Sequence, residues 1–232
     1  MAETFSAPFE GTNGDTATTS NTNFTGIAGT APSFSTAVFK DGQSSIHFPS
    51  GTMSRLEHTR GAATVRHWSF YMYPIAQPAA NTPIFFAGSA LNAAGRTFQL
   101  TWNASGTFKI QRDSTAIKIG SDTSSAIPLN EWSRMDLSAV DGLIAMAFYP
   151  GNAQCDKAVG TADPSNMASG QIAVSALNAF FVGADTGSAG NYYMDALRED
   201  DSVIPGPLAN EPDFTHFRFD GTAWVPQSVV IL

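Results

Sequence analysis

The sequence predicts an all-β chain folded as a two-sheet antiparallel sandwich, and three observations carry that expectation. Short runs of alternating apolar and polar residues, each closed by a turn signal, recur along the 232 residues. Charged residues make up only 14%, against about a quarter in an ordinary soluble domain, and Ser, Thr, Asn and Gly supply the polarity instead. Helical periodicity is scarce, with only Arg55–Gly61 reading as one short helical turn. At 43% hydrophobic residues, a chain of this length buries roughly three-quarters of its unfolded surface and needs no disulfide staple.

In chain order, residues 1–35 are polar, but Phe5, Phe9, Phe24, Ile27 and Phe34 are spaced to pin a meandering edge to a core. Strands are predicted at Ala37–Phe39 and Ser45–Phe48, on either side of the turn Lys40-Asp41-Gly42-Gln43. In Arg66–Tyr73, Trp68, Phe70 and Met72 alternate with His67, Ser69, Tyr71 and Tyr73, the mark of a half-buried strand. Ile84–Ala87 is a buried run. Thr97–Trp102 and Thr107–Arg112 form a hairpin around Asn103-Ala104-Ser105-Gly106, and Ala116–Ile119 adds a short strand. A second hairpin pairs Glu131–Val140 with Leu143–Gly151 around Asp141-Gly142. Residues 151–170 read as a polar loop, followed by strands at Ile172–Ser175, Phe180–Val182 and Tyr192–Leu197.

The last of these strands holds an acid, Asp195, in an otherwise apolar run, and a buried carboxylate costs several kcal/mol unless it finds partners. Pro205-Gly206-Pro207 then divides the chain into a sandwich, residues 1–205, and a linker with a C-terminal docking hairpin, residues 206–232. A two-stranded hairpin is not stable alone. Phe214, Phe217, Phe219 and Trp224 are its candidate assembly anchors, and the terminal Val229-Val230-Ile231-Leu232 is an apolar edge open to pairing, either with its own sheet or with another chain.

Charge and motifs exclude several function classes. Twelve basic against twenty acidic residues give −8 with no basic cluster, so nucleic acid and anionic membranes are not expected partners. One cysteine, Cys155, excludes a disulfide framework and a Cys-x-x-Cys metal knuckle. No run reaches bilayer-spanning length, and the N-terminus lacks a basic and apolar leader pattern, which points to synthesis in a cytoplasm. GxSxG, P-loop and HExxH patterns are absent, and His47, His58, His67 and His216 are scattered. The expectation is a non-enzyme. Tyr71 and Tyr73 fall opposite the Trp68 face and are the candidate carbohydrate platform; core or interface packing is the competing reading.

Three stretches resemble a known family: Phe9–Thr22 (FEGTNGDTATTSNT), Leu129–Gly151 (LNEWSRMDLSAVDGLIAMAFYPG), and Tyr192–Asp200 (YYMDALRED) followed by Ile204-Pro205-Gly206-Pro207. Over roughly residues 3–205 the chain resembles the concanavalin A-like lectin/glucanase superfamily in its laminin-G-like form. The resemblance implies a jelly-roll sandwich. Glucanases of this kind carry Glu-x-Asp-x-x-Glu on one strand; none of Glu3, Glu10, Glu57, Glu131, Glu199 and Glu211 fits that spacing. It also implies a structural Ca²⁺ joining the first and last strands, with Asp195 and Glu10 as ligands, carbonyls near Phe9–Glu10 and Gly42 in support, and Asp41 and Asp15 as weaker candidates. The other reading is that Asp195 accepts backbone N–H bonds from a neighbouring turn. No other cofactor is expected.

The ending Phe217–Leu232 (FRFDGTAWVPQSVVIL) is similar to endings of tail and other virion proteins of actinobacterial phages. The resemblance implies a non-enzymatic phage virion structural protein, a minor tail or adsorption component with host-glycan contact. It would be made in the host cytoplasm and would partner other virion proteins and copies of itself. A capsid decoration protein is the alternative, and a secreted glycan-binding or glycan-hydrolysing module the more distant one.

Overall fold

The period-two alternation resolves into two antiparallel sheets packed face to face. The computed structural model describes residues 5–7, 9–112, 117–173, 176–187 and 190–208, together with the backbone of 216–219 and 224–227. In chain order the strands are β1 (Phe5–Ala7), β2 (Gly26–Gly29), β3 (Ser33–Ser35), β4 (Ser45–Phe48), β5 (Ser54–Thr59), β6 (Val65–Ala76), β7 (Thr82–Gly88), β8 (Arg96–Trp102) and β9 (Phe108–Arg112). They continue with β10 (Ile117–Ile119), β11 (Ser133–Val140), β12 (Leu143–Tyr149), β13 (Met167–Gln171), β14 (Ala179–Ala184), β15 (Asn191–Asp200), β16 (His216–Phe219) and β17 (Trp224–Gln227). An eight-stranded sheet runs β13-β12-β11-β6-β15-β4-β3 with β1 also on β15, and a seven-stranded sheet runs β10-β9-β8-β7-β14-β5-β2. This is the concanavalin A-like jelly-roll sandwich. Among the described residues, no helix is long and apolar enough to cross a membrane.

The core lies between the sheets. From the eight-stranded side Trp68, Phe70, Met72, Tyr192 and Met194 point inward, and from the seven-stranded side Phe85, Phe98, Leu100, Trp102, Phe180 and Val182 meet them. The Phe85 ring sits 5.1 Å from Trp68, 5.9 Å from Phe98 and 6.0 Å from Phe180. The polar N-terminal tract is tied in by Phe5, Phe9, Phe24 and Phe34, all buried.

Three elements differ from expectation. Arg55–Gly61 is not a helical turn: most of it is strand β5, with Leu56 fully buried between half-buried Arg55 and Glu57. A six-residue stretch carries too few periods for its apolar spacing to separate strand from helix. The strand expected at Ala37–Phe39 lies earlier, at β3, which pairs with β4; residues 36–41 fold over the sheet instead. The strand expected at Ile172–Ser175 is β13, inside the predicted loop. Its small residues hide it: a Cβ on Gly170 would lie 2.5 Å from Ile119, so the close approach of β13 to β10 requires glycine there.

The C-terminal hairpin forms, with Phe219 opposite Trp224 and Phe217 opposite Pro226, and it pairs with neither large sheet. Phe214 and residues 228–232 lie outside the described residues. The chain leaves the sandwich slightly later than Pro205, because the Gly206 N–H donates to Ser69 Oγ at 3.0 Å and the Leu208 N–H to Tyr71 Oη at 2.9 Å.

Phe85 stands at the middle of this aromatic packing. Phe85→Ala is expected to lower unfolding free energy by about 3–5 kcal/mol in denaturant titration; a loss under about 1 kcal/mol would show that the two sheets do not share one core.

Candidate functional site

Asp195 interrupts β15, and its surroundings explain its cost. The register of β15 against β6 slips between Asp195 and Arg198, and Ala196 takes a left-handed backbone with φ 47°. That bulge aims the carboxylate away from the core at the turn after β3. Oδ2 accepts the N–H groups of Lys40 and Asp41 at 2.7 and 3.0 Å, and Oδ1 accepts the N–H of Ala196 at 2.7 Å. The same turn is tied to the N-terminal chain. Both Glu10 carboxylate oxygens accept the Gln43 N–H at 3.0 and 3.1 Å, and Ser44 Oγ donates to the Phe9 carbonyl at 2.7 Å. Gly42 has φ 64°, and a Cβ there would overlap the Glu10 carboxylate, so the clasp needs glycine.

This donor set does not suit calcium. The carboxylates of Asp195 and Glu10 face amide N–H groups, the positive ends of backbone dipoles, where Ca²⁺ would need six to eight oxygens. No group of three metal-ligating side chains occurs among the described residues. Asp195 serves as a backbone fastener between the last long strand and the turn bearing Lys40 and Asp41.

Around Asp195 the chain covers most of the outer face of the eight-stranded sheet. Arg134, fully buried, donates from Nε to Asp136 Oδ1 at 3.1 Å and from Nη1 to the Cys155 carbonyl at 2.8 Å, with its guanidinium 3.9 Å from the Tyr149 ring centre. Ser69 Oγ donates to Asp136 at 2.8 Å, and the Gly160 N–H donates to Tyr149 Oη at 2.9 Å. Burial pushes the Tyr149 hydroxyl up to about 12 and raises the Cys155 thiol, which Lys40 Nζ approaches at 3.6 Å.

Tyr71, expected as a sugar platform, is fully buried under this cover: its Oη accepts the Leu208 N–H and donates to Asp156 at 3.2 Å. It has no ring face to offer. Tyr73 escapes the cover and stands half-buried beside Trp132 and Tyr193. The other acids near the sheet are also engaged. Glu199 is buried in ion pairs with Arg60 and Arg66, Asp200 accepts the N–H groups of Ser202 and Val203, and Glu131 accepts the Asn152 N–H. Burial, with Arg66 beside it, brings Arg60 down to about 9.

The seven-stranded sheet presents a different outer face. Arg55 Nε pairs with Glu57 at 2.7 Å and Nη1 with Asp185 Oδ1, while Arg96 Nη2 holds Asp185 Oδ2 at 2.9 Å. Arg96 also donates to Gln99. The Gln99 amide donates to Gln111 at 3.0 Å and Thr101 at 3.2 Å, and Thr101 Oγ1 donates to Gln111 at 2.6 Å. Beneath the row lie Phe86 and Phe181, 5.2 Å apart, with the Arg96 guanidinium 5.3 Å from the first and that of Arg55 4.9 Å from the second. The four charged side chains keep 15–17% of their surface in solvent. The sequence signal was the alternation of Thr97, Gln99 and Thr101 with the core residues of β8. The helical reading of Arg55–Gly61 hid the share of β5.

No family model matches the sequence, and no curated protein matches it. Among solved structures, the cellulose-induced protein Cip1 superposes with a TM-score of 0.54 at 11% identity, covering 78% of this chain and 93% of its own. The lectin I-B4 of Griffonia simplicifolia gives 0.48 at 7% identity over 75% and 92%, and the alginate lyase AlyC3 gives 0.47 at 8% over 67% and 74%. The likeness is one of fold.

Burial pushes the Asp195 carboxyl up to about 7 against the pull of its backbone N–H donors. The folded state then binds this proton more tightly than the unfolded state. The stabilisation is present at acidic pH and fades as pH rises from about 4 through 7. His58, lowered to about 4 by burial and by Arg60, works in the opposite sense over the same range, so a difference against a variant is the clean readout. The stability of the wild type minus that of Asp195→Asn should fall on the order of 2–4 kcal/mol between pH 4 and 8, and a flat difference would contradict it. Melting temperature should be the same in EDTA and in millimolar Ca²⁺; a Ca²⁺-dependent rise would reinstate a metal at the clasp.

Proposed function

We propose that the chain is a non-enzymatic structural component of a phage particle that contacts host glycan through the outer face of the seven-stranded sheet. The observation that carries the reading is the half-buried Arg55–Asp185–Arg96 bridge, laid over two phenylalanines and backed by the buried amides of Gln99 and Gln111. Neutral amides and fixed arginine forks hydrogen-bond hydroxyl groups without committing a charge to them. The opposite outer face is mostly occupied by the chain itself.

The row also supports the absence of catalysis. Glycoside hydrolysis needs one protonated and one ionised carboxyl flanking the bond. On this face Glu57 and Asp185 are both engaged in ion pairs, Glu57 with Arg55 and Asp185 with Arg55 and Arg96, so neither stands free beside a bound sugar. The virion part of the proposal draws on the phage-like ending of the sequence, and on a C-terminal hairpin that, among the described residues, pairs with neither large sheet and so suits a second chain.

Isothermal titration of the protein against host cell-wall glycans tests the reading. Binding is expected without release of new reducing ends, weakened about tenfold by Arg96→Gln. Absence of heat with every glycan, or hydrolysis of any, would overturn it.

A further inference from the structure

One part of the outer face of the eight-stranded sheet is left uncovered, and it is aromatic. Tyr193 of β15 lies directly opposite His47 of β4 on one side and Tyr73 of β6 on the other, and Trp132 immediately precedes β11 on the far side of Tyr73. The ring centres are 4.9 Å apart for His47–Tyr193, 6.2 Å for Tyr193–Tyr73 and 5.3 Å for Tyr73–Trp132. These side chains face outward because Ile46, Phe48, Met72, Tyr192 and Met194 take the inward positions. Four adjacent strands at about 4.8 Å spacing make a row about 14 Å long.

The row is partly open to solvent and holds no Lys, Arg, Asp or Glu. His47, Tyr73 and Tyr193 are half-buried, Ile75, two residues beyond Tyr73, is 37% exposed, and Trp132 is buried behind Tyr73 with Tyr71, Cys155 and Ala196. Among the described residues, neither Tyr73 nor Tyr193 spends its hydroxyl on a hydrogen bond, and no ion pair involves the row. The polar group at its end is the pair His47 Nε2 and Asn191 Oδ1, 2.5 Å apart. Ring faces with hydroxyl and imidazole tips match a ligand that has an apolar face and a rim of hydroxyls. A pyranose is such a ligand, and with no Lys or Arg in the row it is a neutral one. A stable protein dimer buries about 800 Å² and 20–30 residues per partner; a row one side chain wide falls well short.

We propose that His47, Tyr193 and Tyr73, with Trp132 buried behind Tyr73 as their support, form a stacking platform for a neutral glycan chain. It is separate from the seven-stranded face and does not rest on the reading of that face.

The test uses the full chain carrying Arg96→Gln, so that loss at one face is read apart from the other. The probes are hexasaccharides of β-1,4-glucose, α-1,4-glucose and β-1,4-N-acetylglucosamine, followed by calorimetry and saturation-transfer NMR. At least one probe should receive saturation from the aromatic protons. Its affinity should fall about tenfold in Tyr73→Ala/Tyr193→Ala and stay within about threefold in Tyr193→Phe, which keeps the ring. If the double alanine variant does not fold, the saturation transfer and Tyr193→Phe still decide. Three results would overturn the proposal: no binding by any probe, unchanged affinity in a folded double variant, or a dimer in sedimentation that Tyr193→Ala dissolves, which would make a second copy the occupant.

Discussion

The eight-stranded sheet is buried on its inner face by the second sheet and over most of its outer face by its own chain. A sheet in that position has no water to satisfy its outward polar side chains, so each needs a partner built into the fold. Asp195 is the clearest case. Its bulge turns the carboxylate out of the core, and the turn at Lys40 and Asp41 supplies the N–H groups that hold it. Arg134 and Asp136 meet the same demand by pairing with each other and with the Cys155 carbonyl. The segments 36–41, 151–162 and 203–208 are therefore fixed by hydrogen bonds to outward side chains more than by strand pairing. The clasp also holds the start of the chain, since the Glu10 carboxylate and the Phe9 carbonyl accept from Gln43 and Ser44 at the end of the same turn.

That constraint decides where a ligand is received. A face whose polar groups are consumed by the chain offers nothing to a sugar, so Tyr71, Arg134 and Tyr149 are structural despite their chemistry. On the seven-stranded face the described side chains bond one another laterally: Arg55 to Asp185, Asp185 to Arg96, Gln99 to Gln111. The pairing of both acids with arginines belongs to the same lateral network.

Much of this was legible in the sequence. Alternation in Arg66–Tyr73 and Thr97–Trp102, together with the Asp141-Gly142 turn, sufficed for the sandwich and for which side chains point inward. Asp195 stood out as an acid in an apolar strand, and a turn as its N–H donor was one of the two readings left open. What stayed hidden depended on non-local packing. Period-two alternation says that Tyr71 and Tyr73 share a face, but not that Leu208, 137 positions from Tyr71, lies across one of them and not the other. β13 was invisible because its small residues are chosen for closeness to β10. The Arg55–Asp185–Arg96 bridge joins residues from three separate stretches, and no local motif marks it.

The uncovered aromatic row and the polar seven-stranded face point away from each other across a sandwich whose sheets pack about 10 Å apart. One flexible oligosaccharide cannot lie on both faces at once without wrapping around an edge. Two binding faces on opposite sides therefore give no chelate gain to a single soluble chain, however well each face binds. Their combined effect is realised only where glycan surrounds the protein, or where many copies are held in a fixed array, because effective concentration then replaces new contacts as the source of avidity. Weak sites on a repeated carrier and strong sites on a free molecule are different solutions to the same problem, and a narrow row of half-buried rings tilted against one another belongs with the first.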